Sequence, residues 1–298
     1  MTTRGAAPGY RAAASLPLRV ELVRQLRRRR TVLTLALLTM LPFVLWLAFK
    51  IGSNSQDQAS TTLQNQENAT LQNQGSATLA DLATASGPNF VVFTMFSTVS
   101  FLLVVVVALF FGDTVASEAS WSSLRYLLAA PIPRGRLLRQ KAVAATLLSA
   151  FALVLLPAVT MVVGVLAYGA GDLVFPTGQS LNFLSAASRL ALVPIYLVLR
   201  LAWIAGLALL LSVSTDAPLS AVGGAVMVSI LSQILETIDA LGDLRNYLPT
   251  RFSSAWADLL ASPIDWTYLA SGAFSGLTYA TVFGLAAWWR FTTKDITS

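Results

Sequence analysis

GDTVASEASWSSLRYLLAAPIPRGRLLRQK, residues 112–141, is the longest charged interruption between two strongly apolar runs of this chain. It carries Arg125, Arg134, Arg136, Arg139 and Lys141, the acids Asp113 and Glu118, the indole of Trp121, and Pro131 and Pro133. On either side the sequence reads as membrane. Of 298 residues, 55% are hydrophobic and 11% charged, against about 25% charged in soluble domains. The mean hydropathy is +0.67, and several apolar runs approach the roughly 20 residues that a helix needs to cross about 30 Å of hydrocarbon.

Composition also excludes chemistry. There is no cysteine and no histidine, so disulfides, thiolate catalysis and the commonest general base and metal ligand are missing. The net charge of +6 is not spread as a nucleic-acid stripe. It gathers at the ends of apolar runs, where it acts as a topological signal and contacts lipid headgroups.

Working outward toward the N-terminus, 89–111 reads as the second span. Residues 51–88 form a polar, Gln/Asn-rich external loop with an octad repeat beginning at Thr62, Thr70 and Thr78. Residues 31–49 are the first span. Residues 1–30 form a cytoplasmic N-terminus. Within it Leu18, Leu22 and Leu26 fall at helical spacing, with Arg19, Arg24, Arg27, Arg28 and Arg30 around them, which predicts a basic amphipathic helix lying in the interface.

Toward the C-terminus, spans are predicted over 142–168, 190–213, 219–235 and 268–289. Gly223 and Gly224 would permit close helix contact in the fifth. Residues 236–267 are too apolar for a free loop and too broken for a span, so a pair of short re-entrant or interfacial helices is expected. The fold expected is an all-α membrane protein of six transmembrane helices, a single domain over 31–298. Eight basic residues precede the first span, five lie in the opening stretch and two follow the last span, fifteen of the twenty in the chain. That bias puts both termini and residues 112–141 on the cytoplasmic side.

Neither a phosphate-binding G-x-x-x-x-G-K-[ST] loop nor an LSGGQ signature is present in the sequence. Active transport by this chain would draw its energy from a partner or from an ion gradient. Ser120 to Ala130 has helical propensity and ends at Pro131, with Leu124, Leu127 and Leu128 forming one apolar face.

These residues carry a resemblance. Glu118, Trp121, Leu124 to Arg134, Leu137, Leu138 and Lys141 resemble the first cytoplasmic loop of ABC-2 type permeases, the membrane subunits of type V ABC exporters. Ser122 and Ser123 stand where that family usually has Gly-Thr. Phe291 to Ile296 is similar to its closing motif. The resemblance implies two copies of a separate cytosolic ATPase subunit, which hold the ATP and Mg²⁺, with no cofactor on this chain. It implies a short coupling helix gripped by that subunit through Glu118, Trp121, Leu124, Arg125, Leu128 and Arg134, with a smaller contact at Asp216. It implies a bacterial inner-membrane location, a homodimer or second permease, and export of an amphipathic substrate such as a drug, an antibiotic or a lipid-linked molecule.

Arg200 is the other singular residue, a charge within the fourth span and so a functional candidate. Counted from the turn joining spans four and five, Arg200 and Glu236 lie at about 21 and 27 Å. That depth predicts an Arg200–Glu236 pair, or Arg200 facing a polar cavity. The rival reading is a gradient-driven carrier or channel without an ATPase, which predicts inverted repeats and midplane charge pairs. An intramembrane enzyme would need paired carboxylates in a span, and none is evident.

Overall fold

The computed structural model describes residues 18–63, 79–120 and 134–293. Among them the chain is almost wholly helical. Helix α1 is Leu18–Leu26 and α2 is Arg29–Leu63, with a span-like portion over Arg29–Gly52. A short α3, Leu79–Leu82, leads into α4, Gly87–Val99, and α5, Leu102–Ser120. Then come α6, Arg134–Tyr168; α7, Phe183–Arg200; α8, Ala202–Ser214; α9, Pro218–Glu236; and α10, Trp266–Thr293. Five stretches are long and apolar enough to cross a membrane, α7 and α8 counting as one. The α4–α5 pair, bent by 56°, makes a sixth. The all-α membrane architecture expected from the sequence is therefore found, with six spans when the bent pair is counted as one.

The bend falls at Ser100 and Phe101, where no proline or glycine marks it. Thr94, Ser97 and Thr98 just before it each return a hydroxyl to the carbonyl four residues back, a bond that bends helices. The break frees the Ser100 carbonyl, and the Gln233 amide of α9 donates to it at 2.9 Å.

Close packing uses glycines other than the expected pair. A Cβ on Gly87 would come within 2.9 Å of the Val165 nitrogen, and one on Gly164 within 2.9 Å of the Gly87 carbonyl. Small residues thus let α4 and α6 touch backbone to backbone. Gly276 of α10 meets the Leu199 and Arg200 carbonyls in the same way. Gly223 has open space around it, and Gly224 meets only the tip of Leu211, so the expected close contact at that pair is not made.

Several predicted boundaries move. Helix α2 continues past residue 49 to Leu63, into the expected external loop. The octad repeat lies outside the described residues from position 64 to 78. Helix α5 runs on to Ser120 and α6 begins at Arg134, so the long charged interruption is mostly helical at both flanks. Residues 169–188 hold a two-stranded hairpin, β1 Leu173–Val174 with β2 Ser180–Leu181, Leu173 opposite Leu181. Asn89 clasps it, donating to the Val174 carbonyl at 2.7 Å and accepting from its N–H at 3.0 Å.

The segment before the last span is broken, as expected, into two 3-10 helices, Asp239–Tyr247 and Ala255–Leu259. Trp256 is buried there against Phe96 of α4, and Arg189 donates to the carbonyls of Leu260 and Ala261.

Candidate functional site

Helix α1 packs its polar face against the protein. Glu21 and Gln25 are buried, whereas Val20, Val23 and Leu26 are exposed. Leu22 alone of the apolar stripe reaches the core, and it does so partly buried. An amphipathic helix in an interface turns its apolar side to lipid. Its polar side is then free to meet protein, provided that the protein supplies charge partners there.

Those partners come from α5 and α6. Glu118, near the end of α5, and Lys141, in the second turn of α6, are 3% and 2% exposed. The Lys141 ammonium donates to Glu118 Oε1 at 2.5 Å and to the Thr114 carbonyl at 3.4 Å. Arg24 of α1 donates to the same Oε1 at 2.5 Å and to Glu21 at 2.9 Å. Glu21 also accepts from Gln25 at 2.9 Å and lies 3.6 Å from Lys141. Burial works to raise the Glu21 carboxyl; Lys141, Gln25 and Arg24 outweigh it and hold the group below its ordinary value. Opposite charges and donors at this range favour the ionised form.

One turn earlier on α5, Asp113 accepts from Arg28 at 2.8 Å and from Arg30 at 2.7 Å. Arg28 also donates to the Ser117 hydroxyl at 3.0 Å. Asp113, Ser117 and Glu118 stand four and five residues apart on α5, and so present one side of that helix to α1. Helix α1, the end of α5 and the start of α6 are thereby bound to one another by charge.

The other expected contact residues fall unevenly. Trp121, Leu124, Arg125 and Leu128, with the predicted helix over 120–130, lie outside the described residues. Arg134 opens α6 and reaches the Thr292 carbonyl of α10 at 3.5 Å. Asp216 is exposed in the turn between α8 and α9. That turn belongs to the same end of the bundle, because the Ser212 hydroxyl accepts from the backbone N–H groups of Val115 and Ala116. The resemblance gives Glu118 as a contact with the ATPase subunit. The structure instead closes it between Lys141 and Arg24, since a carboxylate at this depth needs cations beside it.

Arg200 is 3% exposed, at the junction of α7 and α8. It donates to the Phe252 carbonyl at 3.1 Å and does not form the expected ion pair. Glu236 lies 3.7 Å from Arg251 instead. The stretch between the two 3-10 helices folds back and brings both Phe252 and Arg251 into the space that a straight antiparallel pair would have left to Arg200 and Glu236. A small niche beside Arg200 is lined by Trp203, Ser229, Gln233, Thr250 and Ser253. The Trp203 indole N–H is buried there without an acceptor among the described residues. Nearer the middle of the bundle an apolar cavity of about 160 Å³ lies between α5, α6 and the α7–α8 junction, with Phe111, Leu153 and Leu277 in its wall.

Five or six helices long and apolar enough to cross a membrane, and a broken segment ahead of the last of them, define a polytopic membrane protein with no catalytic constellation among its described residues. The sequence profile of the ABC-2 family transporter protein matches residues 18–296, and the chain belongs to that family. It is a multi-pass transmembrane permease, not itself an ATPase. No curated protein matches it. Of the cluster residues, only Glu118 and Lys141 stood in the motif that the sequence offered. Asp113, Glu21 and Arg24 were missed, although two acids five apart at the end of an apolar run, facing an arginine-rich helix, were a usable signal.

Proposed function

We propose that the chain is the membrane half of an exporter whose ATP is hydrolysed by a separate cytosolic subunit, present in two copies and holding the ATP and Mg²⁺. The observation that carries this reading is the ion cluster of Glu21, Arg24, Glu118 and Lys141. It makes α1, the end of α5 and the start of α6 move as one block, and residues 121–133 connect α5 to α6 in the sequence. A push delivered to this loop reaches two spans and the interfacial helix together. Trp121, Leu124, Arg125, Leu128 and Arg134 are the residues assigned to the partner, with Asp216 on the neighbouring turn. Glu118 serves as the strut behind them.

The arginine-rich end faces the cytoplasm of a bacterial inner membrane, following the bias of basic residues. A homodimer, or a second permease, supplies the other half of the pathway. The apolar cavity between α5, α6 and α7–α8 favours an amphipathic substrate, such as a drug, an antibiotic or a lipid-linked molecule. A gradient-driven carrier, the rival reading, would draw on midplane charge pairs, and Arg200 pairs with a backbone carbonyl.

Affinity purification of the tagged chain from its native membrane tests the reading. A stoichiometric cytosolic ATPase, lost when Leu124 and Arg125 are replaced by alanine, is the expected result. A chain that transports with no such subunit, and whose activity follows the proton or sodium gradient, overturns it in favour of the carrier.

A further inference from the structure

Between α1 and the start of α2 lies an open cavity of about 340 Å³. Arg24, Arg28, Arg29 and Arg30 form its basic wall, and Asp113 and Glu118 are its two carboxylates. We propose that this cavity binds a phosphate-bearing anion at the depth of the lipid headgroups.

The charge balance points to an anion. Four guanidiniums face two carboxylates, leaving an excess of two positive charges. Both carboxylates are engaged already, Asp113 by Arg28 and Arg30 and Glu118 by Arg24 and Lys141. Arg29 is exposed and has no carboxylate within ion-pair distance among the described residues. Guanidinium forks match phosphate oxygens two at a time. The cavity is at the small end of the range for ligand sites, about 300–1,000 Å³, enough for a phosphate and a short polar group.

The depth narrows the ligand further. Arg29 is the first residue of the span-like portion Arg29–Gly52, so the cavity opens where hydrocarbon gives way to headgroup. A phosphate can arrive there from two sources, the headgroup of an anionic phospholipid or a free phosphate compound in water. The inference needs neither an ATPase partner nor transport, so it stands or falls apart from the function proposed above.

The test uses the full chain purified in detergent. In one arm it is offered equal phosphatidylglycerol and phosphatidylcholine, and retained lipid is counted by native mass spectrometry. In the other it is offered inorganic pyrophosphate, and the unfolding temperature is read. Arg29→Gln removes the guanidinium that no carboxylate uses. Arg139→Gln makes the same charge change on an exposed turn of α6, away from the cavity. Selective retention of phosphatidylglycerol, weakened roughly fivefold by Arg29→Gln and unchanged by Arg139→Gln, assigns a lipid headgroup; about fivefold is what one basic residue is worth at an anionic surface. A rise in unfolding temperature with pyrophosphate, absent in Arg29→Gln, assigns a free phosphate. The proposal is overturned if neither probe binds, if both variants weaken binding equally, or if Arg29→Gln changes nothing. Should Arg29→Gln fail to purify, Arg29→Lys keeps the charge and loses the fork; weaker binding supports the site and unchanged binding overturns it.

Discussion

Lys141 and Arg200 are both almost inaccessible, at 2% and 3% exposure, and the chain treats them in opposite ways. Lys141 has a carboxylate at 2.5 Å, a second at 3.6 Å and a backbone carbonyl. Arg200 has one backbone carbonyl, while the acid nearest in the sequence reading is turned toward Arg251. A buried charge with full ionic partners is a fastening: it fixes which surfaces meet, and removing one member strands the other. A buried charge with a single neutral acceptor keeps donors in reserve, and a small niche of Trp203, Ser229, Gln233, Thr250 and Ser253 lies beside it. The first arrangement holds the arginine-rich end together. The second leaves a polar spot inside an otherwise apolar bundle.

The contrast can be broken most directly at Glu118. Glu118→Gln leaves Lys141 and Arg24 facing a neutral amide, and the expected loss is on the order of 3–5 kcal/mol, read as a large fall in the unfolding temperature of the purified chain. A loss below about 1 kcal/mol would mean that the cluster fastens nothing. Arg200→Met should cost less, roughly the 1–3 kcal/mol of an orphaned Phe252 carbonyl. The exchange Arg200→Glu with Glu236→Arg should do no better than the worse single change in the same assay, because the two side chains are not partners; rescue would reverse that assignment.

Asp113→Asn sharpens the comparison at lower stakes. It frees Arg28 and Arg30, whose side chains are 26% and 62% exposed beside an Asp113 side chain at 12%. The loss should therefore lie above the roughly 1 kcal/mol of an exposed pair and below that of Glu118→Gln, whose partner Lys141 is buried. The resulting drop in unfolding temperature should shrink in high salt, whereas that of Glu118→Gln should not. The smallest effect is titration of Glu21. Its carboxyl is depressed in the folded chain, so its contribution is complete above the ordinary carboxylate range and is lost as the pH falls through the lowered value. Hydrogen-exchange protection factors along α1, taken relative to the intrinsic rate at each pH, should therefore fall on acidification below that range and stay flat from there up to neutrality.

The sequence made the apolar spans, the first helix and the broken segment over 236–267 legible, because length, apolar runs and clustered arginines act directly on whether a segment enters lipid. It misled wherever direction mattered. On α1 the interfacial reading agrees with the exposed Val20, Val23 and Leu26, but it does not say that Glu21 and Gln25 on the other side are buried against protein. The depth estimate that joined Arg200 to Glu236 assumed two straight helices and nothing between them; Phe252 and Arg251 fold back into that gap. The bend after Val99 has no proline to announce it, only hydroxyls that any apolar helix could have carried facing elsewhere. Gly223 and Gly224 looked like a contact, and Gly87 with Gly164 made one, since adjacency in sequence says nothing about which surface a neighbour approaches.

The bend between α4 and α5 divides one crossing between two sets of neighbours. Above it, α4 is locked to α6 through Gly87 and Gly164 and tied to the hairpin by Asn89. Below it, α5 is locked to α8 and α9, with Ser212 on its backbone and Gly112 against Val222. Should α8 and α9 shift against the upper halves of α4 and α6, the mismatch would collect at Ser100 and Phe101, much as a universal joint takes up the misalignment of two shafts. The Glu118–Lys141 pair keeps the lower end of α5 with α6, and the Gln233 amide across the gap is the pin that such a shift must first withdraw.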